Sequence, residues 1–201
     1  VDRAVAAARA AYERVWRPMP SADRAKYLFR IARLVQDRAG ELAVLETLNS
    51  GKPIRESRLD LAAVAAHFFY YAGWADKLRY AGFGPDPRPL GVAAQVIPWN
   101  SPLLRLAWAV APALACGNAV VVKPSEHTPL TALLFAEICQ QADLPPGVVN
   151  IVTGTAAASR TLVSHSDVDV VAFAGSTARG REVARLVAGG HKRLNLALGG
   201  K

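Results

Sequence analysis

The stretch VAAQVIPWNSPLLRLAWAVAPALACGNAVVVKPSE, from Val92 to Glu126, reads as strand, helix, strand. Val92 to Ile97 is a short apolar run stopped by Pro98, and Val120 to Val122 begin a second one stopped by Pro124. Between them, Pro102 to Cys116 is apolar nearly all round and long enough for a buried helix, with Gly117-Asn118 closing it. Both strands end in polar groups, Trp99-Asn100 on the first and Lys123, Ser125 and Glu126 on the second. In an open parallel sheet joined by right-handed crossovers, the carboxyl ends of the strands share one edge, and ligands bind there. These polar residues are therefore expected to converge.

The alternation continues downstream. Strands are predicted over 92–97, 119–123, 148–152, 169–174 and 193–198, with helices over 102–116, 130–142, 157–164 and 178–188. Strands separated by helical segments of this length imply an α/β fold: a Rossmann-like open parallel sheet with helices on both faces. Upstream, Asp2 is read as the cap of a helix over 3–16 and Ser21 as the cap of a second one, broken near Gly40. The run Asn49-Ser50-Gly51 is a helix stop, and Pro53 opens a long helix to about Lys77. With no strand before them, these helices are expected to belong to a chain that begins mid-protein. The division is an N-terminal helical segment over 1–80 packing on an α/β domain over 81–201, the two forming one structural unit, joined through the Gly/Pro-rich connection from Tyr80 to Pro89.

Composition narrows the function classes. With 52% hydrophobic residues in 201, the chain can bury a sizeable core. Its apolar runs are broken by Arg105, by Gly117-Asn118 or by prolines, so none reaches the ~18 residues of a membrane span, and no stretch reads as a secretory signal. The net charge of +8 raises the question of nucleic acid, but the basic residues are scattered arginines on helices without interleaved exposed aromatics. They read as a solvated surface. Cys116 and Cys139 lack metal-ligand spacing and read as reduced thiols in a cytoplasmic protein, Cys116 as a buried structural one. The aromatics Phe68, Phe69, Tyr70, Tyr71 and Trp74, with His67, read as packing.

A second local signal is FAGSTARG at 173–180, which joins a strand to a helix. A Gly-Ser-Thr turn at a helix start offers free N–H groups, a hydroxyl and the positive dipole end, which suits a phosphate; an ordinary Ser cap reads equally well. Lys123 fits a hydrogen bond to ribose or phosphate and Glu126 fits two ribose hydroxyls, although either also reads as a surface residue.

Taken in order, PWN at 98–100, APALACGN at 111–118, VVKPSE at 121–126, TPL at 128–130, LPPGVVNIVTG at 144–154, FAGSTxxG at 173–180 and LxLGGK at 196–201 resemble the aldehyde dehydrogenase superfamily. The resemblance extends over the whole chain, because the opening helices and the NSGKP turn at 49–53 fit as well. The short connection before Pro89 and the run LLFAEICQQA at 133–142 look more like the family-sixteen type, which carries tandem dehydrogenase-like regions. In that family a cysteine thiolate attacks an aldehyde, hydride passes to NAD(P), and a glutamate activates the water that releases the acid. Carried over, the resemblance makes 81–201 the NAD-binding domain and Asn100 the side-chain donor of the oxyanion hole. Lys123 and Glu126 would hold the adenosine ribose, Gly175 and Ser176 would contact the pyrophosphate, and Ile97, Pro98, Trp99, Phe173 and Gly154 would belong to the cofactor site. Glu126 favours NAD over NADP, since a carboxylate repels a 2′-phosphate.

The departures from the family pattern are as informative. Ala197 stands where the family has its general-base glutamate, and Ala109 and Ala174 replace a customary lysine and threonine. The nucleophilic cysteine and the catalytic domain are expected beyond Lys201, so neither Cys116 nor Cys139 takes that role. Two functions remain in view: the cofactor-binding portion of an NAD-dependent aldehyde dehydrogenase, inactive alone, or a non-catalytic dehydrogenase-like region. An aldehyde, NAD and a homo-oligomeric or tandem-domain partner are the implied partners, although the connection at 78–89 is short for the family's usual oligomerisation hairpin.

Overall fold

Two Val/Ala-rich segments of five residues form the centre of the molecule, β1 (Val92–Val96) and β2 (Ala119–Lys123), every residue of both being buried. A strand enclosed on both faces has no reason to alternate polar with apolar, and these do not. In the computed structural model, which describes residues 1–82, 84 and 86–199, they pair in parallel, Val92 beside Ala119 and Val96 beside Lys123. β3 (Val149–Ile151), β4 (Val170–Gly175) and β5 (Arg193–Leu198) complete a five-stranded parallel sheet in the order β3-β2-β1-β4-β5. The order reverses between β1 and β4. In a doubly wound sheet that reversal opens a crevice at the carboxyl ends of the two strands.

Helices cover both faces, as the alternation predicted. On one side α2 (Ser21–Asp37), α3 (Ala39–Ser50), α4 (Ile54–Trp74), α5 (Pro102–Ala115) and α6 (Leu130–Gln141) share a core with Ala93, Ile97, Val120 and Val122. On the other, α1 (Asp2–Ala11), α7 (Ala156–Ser164) and α8 (Thr177–Val187) enclose Val92, Ala94, Val96 and Val121. The N-terminal helices thus contribute to both cores. α5 is the most enclosed: Leu103, Leu106, Val110 and Leu114 have no exposed surface, and Trp16 donates its indole N–H to the Leu114 carbonyl at 3.3 Å. Asn118, just after it, accepts from the Leu90 and Gly91 amides at 2.7 and 3.0 Å and so ties the end of α5 to the start of β1.

Local details depart from the sequence reading. Neither Asp2 nor Ser21 caps a helix; Val1 and Pro20 hold those positions without a side-chain bond. The first helix widens into a π-turn over Tyr12–Trp16, and Trp16 sits in the core. The break expected near Gly40 falls at Arg38, whose backbone leaves the helical region, while Gly40 lies inside the next helix, in its first turn. The long helix stops at Trp74, short of Lys77. Cys139 is buried, but Cys116 is only half-buried, because the turn at Gly117 carries it to the rim of a groove. Within the connection from Tyr80 to Pro89, Phe83 and Pro85 lie outside the described residues, as do Gly200 and Lys201 of the LxLGGK run.

Candidate cofactor cleft

The crevice at the order reversal is a cleft of about 1130 Å³. Strand ends and the helices α5, α7 and α8 line it. The end of β1 supplies Ile97, Pro98, Trp99 and Asn100, the end of β2 supplies Lys123 and Glu126, and that of β4 supplies Phe173, Gly175 and Ser176. Ala197 of β5 lies on the wall too. Residues named from four distant parts of the sequence are thereby brought into one space. Gly154 is not among the lining residues; at φ +144 it shapes the turn that starts α7, where Ala156 and Ser159 reach the cleft.

Lys123 is the least ordinary of these groups. It is only 5% exposed, and among the described residues its ammonium has no hydrogen-bond partner although it borders the cleft. Burial pushes its pKa down, with Glu126 opposing the shift. With its stem enclosed and the residue lining the cleft, the position suits an incoming oxygen-rich ligand that would supply an acceptor. Glu126 itself is exposed at the cleft edge.

Ser176 caps its helix and also lines the cleft. Its Oγ accepts from the Arg179 amide at 3.4 Å, capping α8 in an extended backbone conformation, and it stands on the cleft wall at that helix's positive end. α8 lies tight against β5 at Gly180, where a Cβ would come within 2.3 Å of the Leu198 side chain. Asn100 is exposed, and among the described residues its side chain makes no hydrogen bond, leaving its amide free to donate into the cleft.

Several lining groups were not anticipated. Arg105 enters the cleft from α5 with its guanidinium 4.7 Å from the Trp108 ring. Arg160 of α7 and Arg179 of α8 are both held by Glu182, Arg179 at 2.9 Å, and the two arginines keep the Glu182 carboxyl below its usual range, Arg160 foremost. Position within the first turn of α8 could have drawn attention to Arg179. Arg160 carries no local signal, since only the packing of α7 on α8 brings it there. With Lys123 these arginines outnumber the two carboxylates, and the cleft is basic, as a diphosphate requires.

A model of the aldehyde dehydrogenase family matches residues 1–201. The chain belongs to the aldehyde dehydrogenase family. It is 49% identical to the mitochondrial aldehyde dehydrogenase of Sus scrofa, over all of this chain and 41% of that protein. It is 43% identical to retinal dehydrogenase 2 of Homo sapiens, again over all of this chain and 41% of the relative. Betaine aldehyde dehydrogenase from Staphylococcus aureus, solved in complex with NAD+, superposes with a TM-score of 0.92 at 36% identity, covering 99% of this chain and 42% of that one. The 201 residues thus span about two fifths of the length of these family members and correspond to their N-terminal portion. Among the described residues, no helix is long and apolar enough to cross a membrane, and no cluster of three metal-ligating side chains occurs.

Proposed function

We propose that this stretch is the cofactor-binding portion of an NAD-dependent aldehyde dehydrogenase that oxidises an aldehyde to a carboxylic acid. The observation that supports it is Lys123, nearly buried and without a hydrogen-bond partner among the described residues, lining a basic cleft at the switch point of the sheet. Lys123 and Glu126 are read as the ribose-binding pair, and Gly175 with Ser176 as the pyrophosphate contact at the start of α8. Ile97, Pro98, Trp99 and Phe173 form the apolar walls, and Gly154 acts indirectly through its turn. Bound there, NAD would accept hydride. Asn100 would donate its amide to the developing oxyanion of the aldehyde carbon, a contribution of ~3 kcal/mol in comparable sites. The exposed carboxylate of Glu126 favours NAD over NADP.

The 201-residue chain alone is expected to be inactive toward aldehydes. Cys139 is buried with its thiol pushed far up by desolvation, Cys116 is shifted the same way, and neither lines the cleft. Ala197, on the cleft wall where family members carry a base, favours a second reading, a non-catalytic region beside an active partner domain. The deciding experiment follows NADH formation with propanal by the full-length polypeptide, before and after Ala197→Glu. Turnover that rises on restoring the carboxylate supports the enzyme reading. Absence of turnover from both proteins, with NAD binding retained, leaves the non-catalytic reading. A cytoplasmic location and a homo-oligomeric or tandem-domain partner complete the proposal; the two free thiols fit a reducing compartment, while relatives include proteins named as mitochondrial.

A further inference from the structure

The NSGKP turn at 49–53 entered the sequence reading as a helix stop, yet its side chains reach both loops that frame the cleft. After α3, Gly51 turns the chain at φ +74, and Lys52 points back beneath the loop between β1 and α5. Its side chain is 17% exposed, forms an ion pair with Asp60 of α4, and donates to the Ser101 hydroxyl at 2.9 Å. Asn49 donates to the His127 carbonyl at 3.4 Å and accepts from the Leu130 amide at 2.9 Å, which anchors the loop that carries Glu126.

Ser101 needs an anchor. It sits at φ +46, ψ +55, a left-handed conformation that a residue with a Cβ holds only when its surroundings impose it. It also occupies the N-cap of α5, where a serine hydroxyl ordinarily accepts from an amide of the first turn. Here it caps nothing. The amide of Leu103 is instead directed, at 3.4 Å, to Oε1 of Glu46, a fully buried carboxyl from α3. Glu46 thus takes over the capping role, and the Ser101 hydroxyl is left for Lys52. On the other side of Asn100, the Trp99 carbonyl accepts from the Thr128 hydroxyl at 3.1 Å. Asn100 is bracketed by two held neighbours, while its own side chain has no bond among the described residues. Where its amide points is set by its backbone.

We infer that Lys52 is a positioning residue for Asn100, acting through Ser101: the Asp60–Lys52–Ser101 chain fixes the left-handed residue that follows Asn100 and so aims the Asn100 amide into the cleft. This rests on the reading of Asn100 as the oxyanion donor. In the full-length protein, made with Ala197→Glu if turnover needs it, Lys52→Met is expected to lower kcat roughly 10- to 100-fold, the scale of a 1 Å misplacement. KM for the aldehyde and the affinity for NAD should change little. Lys52→Arg, which keeps a donor for both Asp60 and Ser101, is expected to recover most of the rate.

The decisive comparison is the double variant. With Asn100→Ala in place, Lys52→Met should cost no further rate; an undiminished loss in that background overturns the inference, as does unchanged kcat in the single variant. If Asn100→Ala leaves kcat intact, the oxyanion reading itself is wrong and the inference falls with it. Should Lys52→Met not fold, Ser101→Ala removes only the acceptor and should lower kcat in the same way; no loss there is equally fatal. A crystal structure of the variant decides the matter without turnover. Ser101 leaving the left-handed region with Asn100 displaced by roughly 1 Å is the expected result, and an unmoved loop overturns it.

Discussion

Replacing Lys123 by Met separates what the cleft does for a ligand from what it does for the fold. The two side chains have similar reach, so the apolar contacts of the lysine stem are largely kept while the charge is lost. Lys123 is 5% exposed as a residue, its ammonium has no acceptor among the described residues, and burial holds its pKa below the ordinary lysine value. The folded pKa therefore lies below the unfolded one. Between those two values the unfolded chain binds more protons, so stability rises with pH through that window, and at every lower pH the full penalty of the buried cation applies. Lys123→Met removes that penalty, and the thermal midpoint of the NAD-free protein should rise or hold. Binding should move the other way. A charge-assisted hydrogen bond is worth about 1.5–3 kcal/mol, so the dissociation constant for NAD should increase roughly 10- to 100-fold. Calorimetric titration with NAD and thermal unfolding without it, both on the full-length protein, measure the two effects. Unchanged NAD affinity would refute the assignment of Lys123 to the cofactor, and a midpoint that fell along with affinity would show that the lysine is structural.

Other perturbations test separate links. Glu126→Ser removes the exposed carboxylate at the cleft edge and should raise the ratio of NADP to NAD affinity in competitive titrations; an unmoved ratio places the 2′ position elsewhere. Burial raises the pKa of Glu46, with the neighbouring Thr131, the Leu103 amide and the charge of Lys52 opposing it. Its folded pKa exceeds the unfolded one, so the native state binds the extra proton and stability declines as pH rises from the ordinary carboxylate range to the folded value. Glu46→Gln should flatten that decline in urea titrations across the acid to neutral range, and an identical slope in both proteins would contradict it. Phe135 of α6 is fully buried and stacked on Phe68 with ring centroids 5.5 Å apart. Phe135→Ala should cost about 3–5 kcal/mol in urea unfolding; less than 1 kcal/mol would mean that the α4–α6 contact closes over the lost ring.

The sheet was legible because its signals are local. Apolar runs of strand length, stopped by Pro98 and Pro124 and separated by helical segments, are sufficient for a parallel α/β fold, and strand ends fixed the polar residues at one edge. Helix caps were not legible: Asp2 and Ser21 have the right chemistry, but nothing in their neighbourhood revealed that the backbone would start one residue earlier. Ser176 was the opposite case, since a cap and a phosphate contact are both compatible with one hydroxyl at a helix start.

By itself, then, the sequence determined the strand–helix alternation, the ordered motifs of the aldehyde dehydrogenase family, and the presence of Asn100, Lys123 and Glu126 at strand ends, with Ala197 in place of a base. Each of these is written in neighbouring residues. Only the tertiary structure decided that Lys123 is nearly buried with no partner among the described residues, that Arg160 and Arg179 meet across Glu182, and that Lys52 lies under Ser101. Apart from Arg179–Glu182, an i,i+3 pair within α8, those contacts join residues 22 and 49 apart or depend on how much water remains around a group. Such facts follow from how helices pack on the sheet, and no local pattern encodes them.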